Sequence, residues 1–347
     1  MNLPAHKCLI DKFIDWEKVE QRLYKYPNIG SQYNLKLFQE CSSKPPFYCH
    51  YLALRLGTWE DDSLFEFLDN LFSVAKSLPN WESERHLLKS HEFGVFWGLL
   101  WQMQVANFFK KIEGMTIQWF EDKSGPDLRA KYKDNDLFIE CYSFSKSFIV
   151  ENFINDILCL LSPNIKVGHQ LFLRFSLPNS GQKLDSFLDE IFTPYLDEKF
   201  IKKKEQEAQD KYPVLLPVPK EVKNFYIYFE GSNPDKYEPG LLPMGAGDEN
   251  AYINQMVHES LRNKQKSNKL SEKHPNILAI NFLIGVDLQI VFNHYISVKS
   301  FRIPSVYFKV FDCVVFEACG INQIPKMNVY FTPEMGAARV IEGIFEN

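Results

Sequence analysis

Two carboxylates carry the chemistry this sequence offers. Gly125-Pro126-Asp127 is a turn signature that delivers one acid onto a strand. Leu137-Phe138-Ile139-Glu140-Cys141-Tyr142 carries a second acid inside an apolar run. Side chains on a strand alternate between faces, so Glu140 shares a face with Phe138 and Tyr142, while Ile139 and Cys141 face the other way. An acid among apolar neighbours on a core strand is costly unless it is paired or bound to metal. Asp127, at the start of the preceding strand, lies across a hairpin from this region. Two such carboxylates, completed by waters and a substrate phosphate, suit Mg²⁺, which keeps most of its water and needs few protein ligands. The plainer alternative is that Asp127 only shapes a Pro-Asp turn and Glu140 forms an ordinary ion pair.

The elements that must position these acids follow from periodicity and punctuation. Residues 1–82 read as a helical, aromatic N-terminal region, with a helix over Asp11 to Tyr26 and an amphipathic one over Ser63 to Leu78 that Ser63 would cap. A long helix is expected from Ser83 to Lys111; its middle is apolar on nearly every side, the mark of a buried helix. Glu92 sits at the edge of that apolar run. Strands are expected at Met115 to Phe120, Pro126 to Lys133 and Asp136 to Ser143, the last two joined by a turn at Asp134-Asn135. A helix is expected over 148–161, a strand over His169 to Leu177, and a polar insertion of helix and loop over about 178–224. Further strands are expected at Asn224 to Phe229, Ile277 to Ile284, 288–297 and Asp312 to Phe316, with a helix near 250–266. Strands alternating with helices predict an α/β fold.

This order resembles the PD-(D/E)XK, or restriction endonuclease-like, nuclease superfamily: a helix bearing an acid (Glu92), a strand around Ile117, a strand opened by Pro126-Asp127, a strand carrying Glu140, then a helix from Phe148. The resemblance covers about residues 83–162 and extends to a later helix with Lys264-Gln265 and a core strand over Pro275 to Ile280. It implies a mixed β-sheet flanked by helices, with residues 83–347 as the nuclease-like domain. It also implies Mg²⁺ or Mn²⁺ as cofactor, held by Asp127 and Glu140 with Glu92 as third ligand, and hydrolysis of phosphodiester bonds in DNA, in restriction or anti-phage defence.

Tyr142 departs from the pattern. The superfamily places a lysine two residues after the glutamate, where it orients the attacking water and stabilises the charge on phosphorus. A tyrosine hydroxyl donates a hydrogen bond but carries no positive charge at neutral pH. The replacements considered are Lys264, whose helix approaches the active site in some relatives, and Lys146, about 20 Å past Glu140 along an uninterrupted strand. Lys123 lies in the loop before Pro126. Lys264 also belongs to a basic run with Arg262, Lys266, Lys269 and Lys273 that reads equally as a solvated face. Glu92 reads equally as an acid favoured by a helix N-terminus. The rival to an enzyme is a catalytically silent nuclease-fold module that binds nucleic acid or protein.

Composition bounds the rest. The 347 residues are 45% apolar, enough for a sizeable core, and include 30 phenylalanines spread along the whole length. A net charge of −5 argues against a surface coated in nucleic-acid-binding charge, yet leaves room for a local basic cleft. Seven scattered cysteines do not form a disulfide framework, which predicts a cytoplasmic protein. No apolar run reaches membrane-spanning length, and the N-terminus lacks a signal peptide's apolar core. Gly245-Ala246-Gly247 lacks the Gly-Lys-Ser/Thr ending of a phosphate loop. Cys41, Cys49 and His50 lack paired zinc-ligand spacing. The N-terminal helical region is assigned to recognition of substrate, of a protein partner or of a second copy of the chain.

Overall fold

The computed structural model describes residues 14–41, 50–90, 93–121 and 125–144, strand segments at 169–174, 214–215, 226–231, 240–241, 276–282, 313–317 and 328–331, and the single residues Asp11, Lys199 and Lys203. Helices come first: α1 (Trp16–Lys25), α2 (Pro27–Gly30), α3 (Leu35–Cys41), α4 (Tyr51–Thr58), α5 (Ser63–Ser77), α6 (Trp81–Glu84) and α7 (Phe93–Lys110). Three strands follow, β1 (Met115–Trp119), β2 (Leu128–Tyr132) and β3 (Asn135–Phe144). Then come β4 (His169–Arg174), β5 (Val214–Leu215), β6 (Tyr226–Gly231), β7 (Gly240–Leu241), β8 (Asn276–Phe282), β9 (Cys313–Glu317) and β10 (Asn328–Phe331).

The strands form two sheets. The larger has six strands in the order β1-β2-β3-β8-β9-β10. Its first three strands are an antiparallel meander; β3, β8 and β9 are mutually parallel, and β10 returns antiparallel to β9. The smaller sheet, in the order β5-β6-β4-β7, is built from the chain between β3 and β8. The protein is thus α/β with a mixed sheet. A separate second sheet was not expected from the sequence, and β5 falls inside the stretch read as a helix-and-loop insertion. Two-residue strands such as β5 and β7 carry too little periodicity to be seen in a sequence.

Local chemistry explains the helix ends. Asp15 caps α1 by accepting from the Lys18 amide at 3.0 Å, so this helix starts later than its periodicity suggests. Pro27, which has no amide hydrogen to satisfy, opens α2 and separates it from α1. Ser63 is the first residue of α5 rather than its cap, and its hydroxyl bonds to Asp61 at 2.8 Å. The long helix expected over Ser83–Lys111 is interrupted. Arg85–Lys89 is a 3₁₀ turn, Ser90 adopts an extended backbone (φ −69°, ψ 130°), and α7 begins at Phe93. Polar residues 82–86 have no apolar face to bury, so packing gives no reason to keep that stretch in register with α7.

One continuous core runs from Ile14 to Ala279 and crosses residue 82 without a break. α5 contributes Leu64, Phe65, Leu68, Leu71, Phe72 and Ala75, the three-and-four spacing of a buried helical stripe. α7 is apolar on most sides because it is packed between these helices and the sheet. Leu137, Ile139 and Cys141 of β3 and Ile277 and Ala279 of β8 face this layer. Two buried indoles tie the layers together. Trp101 Nε1 donates to the Ala279 carbonyl at 3.0 Å, and Trp119 Nε1 donates to the Ala75 carbonyl at 3.1 Å. Among the described residues no helix is long and apolar enough to cross a membrane.

Candidate functional site

The site is built by a tight hairpin whose register can be counted from its turn. Tyr132 pairs with Asn135, leaving Lys133 and Asp134 as the two turn residues. Lys133 adopts φ 55°, as the primed turns of two-residue hairpins demand at their first position. The turn therefore lies one residue earlier than the sequence suggested, and Asn135 is already strand. Register then runs to Leu128 opposite Ile139. One step further is Asp127. The Phe120 amide donates to the Asp127 carbonyl at 3.1 Å, which continues the β1–β2 ladder to this level. β2 begins at Leu128, not at Pro126, so Asp127 enters the hairpin as a bend rather than as a paired strand residue.

Asp127 is also oriented. Its Oδ2 accepts a hydrogen bond from the Cys141 amide at 2.7 Å, which pins the carboxylate against β3 next to Glu140. The turn that delivers it is tight. A Cβ on Gly125 would lie 2.1 Å from the Phe120 ring, itself packed edge-on against Phe138 with centroids 5.8 Å apart. Glycine here lets that ring lie over the turn. Pro126 is buried and Asp127 is half-buried.

Among the described residues of β3 on this face, Glu140 is the most buried. Phe138 and Tyr142, its neighbours on that face, are half-buried, whereas Glu140 is 0% exposed. Tyr142 lies two residues along on the same face, level with Ile280 of β8. At the turn end of the hairpin the electrostatics are ordinary. Arg129 on β2 donates through Nη2 and Nε to the two carboxylate oxygens of Asp136 on β3, at 2.8 and 3.2 Å. Asp136 raises the guanidinium's pKa above its ordinary value, so the pair stays ionised. The sequence reading passed over this pair and the role of the Cys141 amide. Counting register outward from a two-residue turn would have found both.

The structure thus brings together Asp127, Glu140 and Tyr142. Glu92, Lys146 and Lys264 lie outside the described residues, as do Lys123, the helix expected at 148–161, the strand at 288–297 and the helix at 250–266. Among the described residues no group of three or more His, Cys, Asp or Glu side chains is placed to hold a metal ion. Two carboxylates, Glu140 buried and Asp127 half-buried, have the oxygen chemistry that suits a hard cation that retains several waters, such as Mg²⁺ or Mn²⁺. They do not fit Zn²⁺, whose structural and catalytic sites are built on Cys and His. No protein-family model matches this chain, and neither a curated protein nor a solved structure matches it.

Proposed function

We propose that this protein is a metal-dependent nuclease of the PD-(D/E)XK type that hydrolyses phosphodiester bonds in DNA, in restriction or anti-phage defence. The observation that carries the reading is the Asp127 carboxylate held by the amide of Cys141, the residue after Glu140, at the start of the β2–β3 hairpin. The strand arrangement supports it. A helix precedes an antiparallel meander β1-β2-β3, and a later strand, β8, joins β3 in parallel, as the superfamily's order of elements requires. Mg²⁺ or Mn²⁺, when bound, supplies an activated water and neutralises charge developing on the phosphate.

The chain's own residues have separable parts in this reading. Asp127 and Glu140 hold the cation, with Glu92 as third ligand. The Cys141 amide restrains Asp127 so that it does not reorganise on binding. Tyr142, on the face of Glu140, donates a hydrogen bond toward a phosphate oxygen. Lys264, or else Lys146, provides the positive charge that Tyr142 lacks.

Calorimetric titration with Mn²⁺ tests the reading. The wild type should bind the ion, and Asp127→Asn should weaken binding by about 100-fold, the loss of one of three charged ligands. Unchanged affinity in that variant would remove the metal site. A second reading is favoured by Tyr142 itself: a silent nuclease fold that binds nucleic acid or protein. It predicts that no divalent ion supports cleavage of any DNA or RNA form, while nucleic-acid or protein binding persists.

A further inference from the structure

Immediately beyond the acid pair, on the opposite face of the same strand, lies a second polar feature. Ser143 on β3 and Asn281 on β8 are register partners on adjacent parallel strands. Neighbouring strands run about 4.8 Å apart, so side chains at paired positions project side by side. Asn281 is 2% exposed. Its Oδ1 and the Ser143 Oγ are both shut off from solvent, and among the described residues neither has a hydrogen-bond partner. They do not bond to each other, although their backbones are adjacent. The next ladder position, on β9, is Glu317. The same level lies near the carboxyl ends of three parallel strands, where α/β sheets receive ligands.

A buried polar atom left without a partner costs about 1–3 kcal/mol, and two on one patch of sheet are not accidental neighbours. The donor–acceptor inventory limits what completes them. Asn Oδ1 only accepts, while Ser Oγ donates and accepts. One occupant must donate to Asn281 while exchanging a hydrogen bond with Ser143. The described pair carries no charge, which disfavours an ion in so dry a place.

We propose that Ser143 and Asn281 form a buried hydration site, in which one water molecule bridges β3 to β8 just past Glu140 and Tyr142. The bridge is a positioning device for the end of β3. It stands whether or not the carboxylates bind metal, because it uses neither of them. A water with two side-chain partners meets the lower end of the usual two to four hydrogen bonds.

The test is a crystal structure of the full chain at a resolution that reveals ordered water, together with a double-mutant cycle. The expected density is one water about 2.6–3.2 Å from both Ser143 Oγ and Asn281 Oδ1. Direct bonding between the two side chains, or to another residue, with no solvent density, overturns the proposal. In denaturant unfolding, Ser143→Ala and Asn281→Leu should each lower the folding constant about 5- to 10-fold. The double variant should fall no more than about threefold below the worse single variant, because both act through one molecule. Single variants that are neutral or stabilising, or effects that simply multiply, overturn it. If Asn281→Leu does not fold, the wild-type density alone decides.

Discussion

Around α1 and α5, charges of opposite sign meet. Arg22, 6% exposed, donates to the Leu56 carbonyl at 2.7 Å and to Asp62 at 2.7 Å, and its guanidinium lies 4.5 Å from the centre of the Phe65 ring. Lys25 also bonds to Asp62. At the open end of the β2–β3 hairpin, the amide of Cys141, the residue that follows wholly buried Glu140, holds the Asp127 carboxylate. The first arrangement closes on itself: every group in it is satisfied by a group of the same fold, so it is a staple. The turn end of that hairpin, with its Arg129–Asp136 pair, shows what an ordinary structural solution looks like on the same two strands.

The comparison breaks first on metal linkage. A divalent ion that binds only the folded state stabilises it by about 2.7 kcal/mol at one hundred times its dissociation constant. Mn²⁺ at that excess should therefore raise the melting temperature of the wild type, and of an Asp62→Asn variant, by several degrees. It should leave Glu140→Gln unmoved. Calorimetric scans with and without Mn²⁺ check this, and an equal shift in Glu140→Gln would put the ion elsewhere.

The staple should behave in the opposite way. Asp62→Asn should destabilise the metal-free protein by about 1–3 kcal/mol, because it leaves the buried Arg22 with less compensation. The lower end is favoured because Asp62 is one-third exposed and screened. Lys25, then Arg22, hold the Asp62 carboxyl below its ordinary value. A depressed folded pKa stabilises the fold above the unfolded value, about 3.9, and that contribution is lost as pH falls through the folded value. Urea midpoints followed from pH 6 downward should therefore drop less steeply below about pH 4 in Asp62→Asn than in the wild type.

A smaller effect tests whether the layers are joined as described. Trp101→Phe keeps the ring in the core but removes the donor to the Ala279 carbonyl, which should cost about 1–2 kcal/mol. Denaturant unfolding reads this directly, and a neutral result would mean that another donor reaches that carbonyl. The smallest effect is at the hairpin turn. Lys133→Gly relieves a positive φ but gives up a cation–ring contact with Tyr132 at 5.0 Å. The net result should be a stabilisation below about 1 kcal/mol. A loss there would show that register depends on the lysine rather than on the backbone.

Much of this was legible in one dimension. Alternation over residues 115–143 predicted three strands, because a half-buried strand writes its two faces into the sequence with period two. The apolar run of α7 announced a buried helix, and Pro126-Asp127 announced a turn that feeds a strand. The break at Ser90 was not legible, since the polar residues around it satisfy helix, 3₁₀ turn and loop equally well. Nor were β10, the two-residue strands and the division into two sheets, because short segments carry no period and pairing is a relation between distant residues.

The same division holds for the candidate site. The sequence by itself determined that Glu140 sits on a strand and Asp127 just before the preceding one, that Glu140 and Tyr142 share a face, and that the usual lysine is replaced by tyrosine. Those are consequences of side-chain alternation and residue identity. Only the tertiary structure decided that the Cys141 amide orients Asp127, that Glu140 is wholly buried between half-buried Phe138 and Tyr142, and that Ser143 is level with Asn281. Each of these depends on the register between strands. Register is set by the turn geometry at Lys133 and by packing against α7, and neither is a property of any one residue.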